Sequence, residues 1–217
     1  MDAANVTITG ADGTALAARH LSNGAAGPGV VVVHGLGSRK DNHLDFAELA
    51  ADRGMTALAI DLRGHGESSG SIGPGVLEDV LAAVDALHAE GHDPVGIRGS
   101  SLGGFLALHA AERHEAVRAV VAICPATATG LSRRLAEDWP WELGELAGRA
   151  LRPGVARGYW HARGDEQVAW GGTFALALSS PTPRHLHVAM GGSHHSLQHD
   201  PRVLTDSVSF LATALDP

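Results

Sequence analysis

Gly99-Ser100-Ser101-Leu102-Gly103 is the stretch of this sequence with the clearest capacity for chemistry. It follows the apolar run Pro94 to Arg98 and precedes the helical pattern Phe105, Leu106, Leu108, Ala111. Glycines on both sides of a serine let a chain turn sharply from strand to helix and leave the central hydroxyl exposed on a strained corner. Ser101 is therefore the candidate nucleophile. The backbone N–H of Leu102, at a helix start, lies where free donors favour a developing negative charge. A serine hydroxyl is weakly nucleophilic until a base takes its proton, so a histidine and an orienting carboxylate must come from elsewhere in the chain. His185, His187, His194, His195 and His199 crowd one segment together with Asp200. That crowding keeps a rival open, a metal-dependent hydrolase in which His195 and His199 share a helical face and a carboxylate completes a zinc site. Against it, no glutamate follows the first histidine as in zinc proteases, and the serine corner would go unexplained.

The surrounding pattern predicts elements able to position these groups. Val6, Ile8, Leu16 and Ala18 alternate with polar or small residues around Asp12-Gly13, a dipeptide favoured in tight hairpins. Continuous apolar runs follow at Val30 to Val33, Thr56 to Ile60, Pro94 to Arg98 and Ala119 to Ile123, as in strands buried on both faces of a parallel sheet. Helical stripes lie between them: Phe46, Leu49, Ala50, then Leu77, Val80, Leu81, Val84, Leu87. A last helix is expected with Asp200 as N-cap, Pro201 at its first position, and Val203, Leu204, Val208 and Leu211 on one face. The expected fold class is thus α/β: a mostly parallel, doubly wound sheet with helices on both faces and an antiparallel N-terminal hairpin. One domain spanning 1–217 is expected, with a short insertion at about 126–154 in which Trp139-Pro140-Trp141, Leu143 and Leu146 form one or two short helices partly covering a pocket.

Three segments in order resemble the α/β-hydrolase family over nearly the whole chain, most closely its small bacterial members of dienelactone-hydrolase and serine-esterase type. They are the serine pentapeptide, Val30-Val31-Val32-Val33-His34-Gly35-Leu36-Gly37-Ser38, which resembles the strand and oxyanion loop, and Asp61-Leu62-Arg63-Gly64-His65-Gly66-Glu67-Ser68 after the next strand. Gly35 and Gly37 let the backbone approach a bound carbonyl, so the amides of Leu36 and Leu102 are the expected oxyanion hole. His34, Arg63 and His65 are read as loop anchors. The resemblance implies the order serine, acid, histidine. It places the acid at Asp165 in His161-Ala162-Arg163-Gly164-Asp165-Glu166, with Glu166 as fallback, and the base at His194 in Gly191-Gly192-Ser193-His194-His195, with His195 one residue off. A serine at the corner disfavours haloalkane dehalogenases and cysteine-type dienelactone hydrolases. The implied activity is hydrolysis of a carboxylic ester or similar acyl bond in a small molecule through an acyl-enzyme, without cofactor or metal. The alternative is a non-catalytic, ligand- or partner-binding member of the fold.

Composition narrows the partners. The 217 residues carry 24 Asp and Glu against 16 Lys and Arg, a formal charge of −8, which has the wrong sign for nucleic acid or an anionic membrane surface. A single cysteine, Cys124, closes no intramolecular disulfide and reads as a small buried hydrophobe. The amino terminus shows neither the basic stretch nor the apolar run of a secretory signal, so a cytoplasmic location is the expectation. Oligomeric state is left open.

Overall fold

The valine run becomes β3 (Gly29–Val33), buried on both faces, and the sheet is built outwards from it. The computed structural model describes residues 1–128 and 143–216. On either side of β3 lie β4 (Thr56–Ile60) and β5 (Val95–Ser100), both parallel to it. Beyond β5 the parallel series continues through β6 (Val117–Ile123), β7 (Ala156–Ala162) and β8 (Arg184–Ala189). Beyond β4 comes the hairpin: β2 (Ala15–Ser22) runs antiparallel to β4, and β1 (Asp2–Thr9) pairs with β2 in the register Val6↔Ala18 and Ile8↔Leu16. The order is β1-β2-β4-β3-β5-β6-β7-β8, the mostly parallel sheet with an antiparallel hairpin that the sequence pattern predicts.

Helices cover both faces. On one, α1 (Leu44–Asp52) and α5 (Pro201–Leu215) pack over Val30, Val32, Val121 and Trp160. On the other, α2 (Val76–Ala89), α3 (Leu102–Arg113) and α4 (Trp170–Ser179) pack over Val31, Val33, Ile97 and Tyr159. Each fully buried Val, Leu or Ile contributes roughly 1.5–3 kcal/mol by leaving water, so these two layers supply the driving force. Asp200 accepts the N–H of Arg202 at 2.8 Å with Pro201 at the first position of α5, and the apolar face of that helix is buried.

The sequence pattern does not predict α4. Two of its first three residues are glycines, and Phe174 and Leu178 are exposed, so no clean apolar stripe marks it. Of the expected insertion, residues 126–128 and 143–154 are described. Ala126, Ala128, Leu146 and Leu151 join the core on the α3 side, while Trp139 and Trp141 lie outside the described residues. No helix among the described residues is long and apolar enough to cross a membrane.

Strand order positions the site. From β3 the chain moves to one neighbour, β4, and then crosses back to the other, β5. The loops leaving β3 and β5 therefore diverge over opposite faces at the carboxyl edge of the sheet, the place where open α/β sheets generally bind ligands. The loops after β6, β7 and β8 follow along the same edge.

Candidate active site

Ser101 alone makes the reversal from β5 into α3, at φ 52° and ψ −115°. A residue with a side chain is strained there by about 1–3 kcal/mol, and the surrounding backbone must hold it. It does: Ser101 N–H donates to the Ile123 carbonyl at 2.9 Å, and the Ser101 carbonyl accepts from the amides of Ala126 and Phe105, each at 3.0 Å. The flanking glycines are required by size. A Cβ on Gly99 would overlap the Gly103 carbonyl, and one on Gly103 would overlap the carbonyl of Val33. Only bare backbone lets α3 start this close to β3 and β5.

The pairing Val33↔Gly99 carries the loop after β3 past the serine, and a Cβ added at Gly35 would stand 3.2 Å from Ser101 Cβ. Two histidines shape that loop. His34 is fully buried; its Nδ1–H donates to the Gly35 carbonyl at 2.7 Å, and Nε2 accepts from the Leu62 amide at 3.0 Å. His65 repeats the arrangement, Nδ1–H to the Arg63 carbonyl and Nε2 from the Gly37 amide, both 3.1 Å. Arg63 itself is locked by the buried carboxylate of Asp79 at 2.6 Å and by Asp12 at 2.8 Å. Among the described residues, the amides of Leu36 and Leu102 have no hydrogen-bond acceptor. A helix-start amide has no partner within its own helix, so Leu102 is left available for a bound oxygen.

These buried imidazoles make stability pH-dependent. Burial pushes His34 from 6.5 down to about 4, does the same to His109 on α3, and pushes His43 well below its ordinary value. Between pH 6.5 and 4 the unfolded chain binds protons that the folded chain refuses, so stability is fully present above 6.5 and falls as pH drops through this window. His34 alone accounts for about 3 kcal/mol of loss. Urea unfolding at neutral and mildly acid pH is expected to show a much lower midpoint in acid with an unchanged slope.

At the ends of β7 and β8 an acid meets a base. Asp165 Oδ2 lies 2.7 Å from His194 Nδ1, both side chains nearly or fully buried. Asp165 Oδ1 accepts the amides of Gln167 and Val168, each at 2.8 Å. Buried His161 brings Nε2 to 3.3 Å from Oδ2, while its Nδ1 meets Thr173 Oγ1 at 2.7 Å. Burial pushes the Asp165 carboxyl up, but hydrogen bonds from His161, His194 and the two amides outweigh it and hold the group well below the carboxylate range. Cys124, at the end of β6, brings Sγ within 4.8 Å of the acid and the base. Burial pushes its thiol up, so it stays protonated and a poor nucleophile.

The other named residues go elsewhere. Glu166 is exposed and accepts the backbone N–H of His194 at 3.4 Å. His195 is exposed, with Nε2 accepting from the Gln167 side-chain amide at 2.7 Å. His199 bonds Asp45 on α1 at 2.8 Å, so the metal arrangement through His195 and His199 is not assembled. Ser101 Oγ and His194 Nε2 make no hydrogen bond among the described residues, to each other or to another group.

Sequence reasoning missed the supports beneath this constellation. Ser100 donates to the Gln198 side-chain oxygen at 2.7 Å, and Arg98 donates to the Gln198 carbonyl at 3.2 Å, tying β5 to the segment just after His194. Arg98 is buried over the Phe46 ring beside His43, and burial pushes it down to about 10. His161 stands in the acid loop as the sequence reads it but with no role assigned, and Arg98 carried no signal, since its partners His43 and Gln198 lie far along the chain.

A family model described as serine aminopeptidase, S33, matches residues 26–206. The chain belongs to this family of α/β hydrolases. Among relatives of this S33 member, a thiohydrolase of Aspergillus aculeatus is 33% identical over 123 residues, covering 52% of this chain and 39% of the relative. Pimeloyl-acyl-carrier-protein methyl ester esterase of Stenotrophomonas maltophilia is 33% identical over 123 residues, covering 56% and 43%. The chain thus spans less than half the length of these relatives. An esterase domain from a Rhodothermus marinus protein superposes with a TM-score of 0.82 at 19% identity over 100% of both chains, a likeness of fold.

Proposed function

We propose that this S33 member hydrolyses a small carboxylic ester or thioester through an acyl-enzyme. The observation that carries the reading is the 2.7 Å pair of Asp165 and His194 on the same carboxyl edge at which β5 ends in the strained Ser101. Ser101 Oγ attacks the acyl carbonyl carbon while His194 Nε2 takes the hydroxyl proton, and Asp165 stabilises the imidazolium. The carbonyl oxygen, now negative, takes the N–H groups of Leu36 and Leu102. Collapse expels the alcohol or thiol, which receives the proton from His194. Water then attacks the acyl-serine, gives its proton to His194, and releases the acid with Ser101 restored. A methyl ester esterase and a thiohydrolase among the relatives support testing both bond types.

The test is a series of p-nitrophenyl esters of rising chain length beside an acyl thioester, with Asp165→Asn as the diagnostic variant. In Asp165→Asn the side-chain oxygen is required by the amides of Gln167 and Val168, so its NH₂ faces His194 Nδ1. The imidazole then carries its hydrogen on Nε2 and cannot accept the serine proton. Turnover is expected to fall on the order of 10³- to 10⁴-fold with the fold retained. Near-normal turnover in this variant, or no hydrolysis of any acyl substrate by the wild type, would refute the reading.

A further inference from the structure

We propose a second site, at the opposite end of the sheet from Ser101, in which His20, Glu90 and His92 bind one divalent transition-metal ion of the zinc class. His20 lies on β2, Glu90 caps the carboxyl end of α2, and His92 sits in the turn leading to β5. Since β5 runs from this turn to Ser101 over six residues, the two sites are separated by roughly 20 Å at 3.3 Å per residue. His20 Nε2 is 3.2 Å from Glu90 Oε2, His92 Nε2 is 3.9 Å from the same oxygen, and all three donor atoms lie within 4.8 Å of one another. Zinc–nitrogen and zinc–oxygen bonds of about 2.0–2.1 Å place tetrahedral ligands roughly 3.3 Å apart. One edge already fits; the others, 3.9 Å and at most 4.8 Å, close by side-chain movements of roughly 0.6 Å and up to roughly 1.5 Å.

The hydrogen bonding of His92 argues for a ligand rather than a chance cluster. Its Nδ1 stands 2.9 Å from the Gly27 carbonyl, which only accepts, so Nδ1 carries the hydrogen. With the hydrogen on Nδ1, Nε2 turns its lone pair toward Glu90 Oε2 3.9 Å away, an oxygen whose hydrogen bond comes from His20 Nε2 at 3.2 Å, a hydrogen that a metal ion would replace. A backbone carbonyl holding the far nitrogen is the usual device for orienting a metal-binding imidazole. Glu90 adds a second mismatch, because an anionic side chain at a helix carboxyl end opposes the macrodipole. A cation relieves both. The side chains of His20 and His92 are 24% and 17% exposed and that of Glu90 51%, so an ion can enter and water can complete the coordination. Two imidazoles with one carboxylate suit Zn²⁺, Co²⁺ or Ni²⁺ better than Mg²⁺ or Ca²⁺. Bound there, the ion clips the β1–β2 hairpin to the α2–β5 turn, a stabilising role remote from the acyl chemistry.

Chelator-stripped protein titrated with Zn²⁺ alone is expected to take up ions with one tight equivalent and to melt at a higher temperature. With Co²⁺ alone, visible d–d bands should appear without a thiolate charge-transfer band. His92→Ala and the shape-conserving Glu90→Gln should each lower Zn²⁺ affinity at least tenfold and remove the melting shift, circular dichroism confirming that both variants are folded. Three results would overturn the proposal: no Zn²⁺ uptake by the wild type; uptake unchanged in both variants; or uptake lost instead in Cys124→Ala, which would place the ion among Cys124, Asp165 and His194.

Discussion

Replacing Ser101 with alanine is expected to lower turnover of p-nitrophenyl esters on the order of 10⁵-fold or more, leaving only what ground-state binding and the oxyanion donors supply. The protein should remain folded, because the backbone bonds that hold residue 101, to Ile123, Ala126 and Phe105, do not involve the side chain. A companion variant separates chemistry from strain. Ser101→Gly should be as inactive as Ser101→Ala, yet more stable than it by about 1 kcal/mol, since glycine accepts a φ of 52° and alanine does not. Steady-state rates with chemical denaturation of the same preparations read both quantities. Substantial turnover in Ser101→Ala would remove the nucleophile from the proposed reaction.

His194→Ala should match Ser101→Ala in size, because serine and base act as a unit and losing either removes the same activated nucleophile. His195→Ala should change turnover less than tenfold. The contrast follows from position. His194 is nearly buried against Asp165, whereas its neighbour is exposed on the side chain of Gln167. Measured side by side on the same esters, His195→Ala should track the wild type in kcat/KM, and His194→Ala should not. Equal and slight losses in the two variants would discard the assignment.

Much of this architecture is legible in one dimension because its determinants are local. The buried strands announce themselves as unbroken apolar runs, and β4 is found with the limits Thr56 and Ile60 that its residues predict. The start of α5 is written in Asp200 and Pro201, whose effects reach no further than the next turn. What fails to show is equally physical. α4 is held by tertiary packing of Thr173, Leu176 and Ala177 rather than by caps or periodicity, so nothing in its glycine-led sequence declares a helix. Arg98 sits uncharacteristically inside β5, explained only by the Gln198 carbonyl and His43 that close around it.

The same division runs through the site. Sequence by itself determined the strained serine and the glycines that permit it, because the overlap between Gly99 and the Gly103 carbonyl is fixed within five consecutive residues. Which carboxylate meets which imidazole was decided only in three dimensions. Asp165 and Glu166 are neighbours in the chain, as are His194 and His195; the family resemblance favours Asp165 and His194, but no local physical rule separates the members of either pair. The β7–β8 pairing sets the separation and rotation of the two loops, and in that geometry one side chain of each pair turns inward while the other stays in water. The histidines around Leu36, the cysteine beneath the acid and the distant His20–Glu90–His92 cluster likewise exist only because strand order folds separate stretches onto one edge or the other.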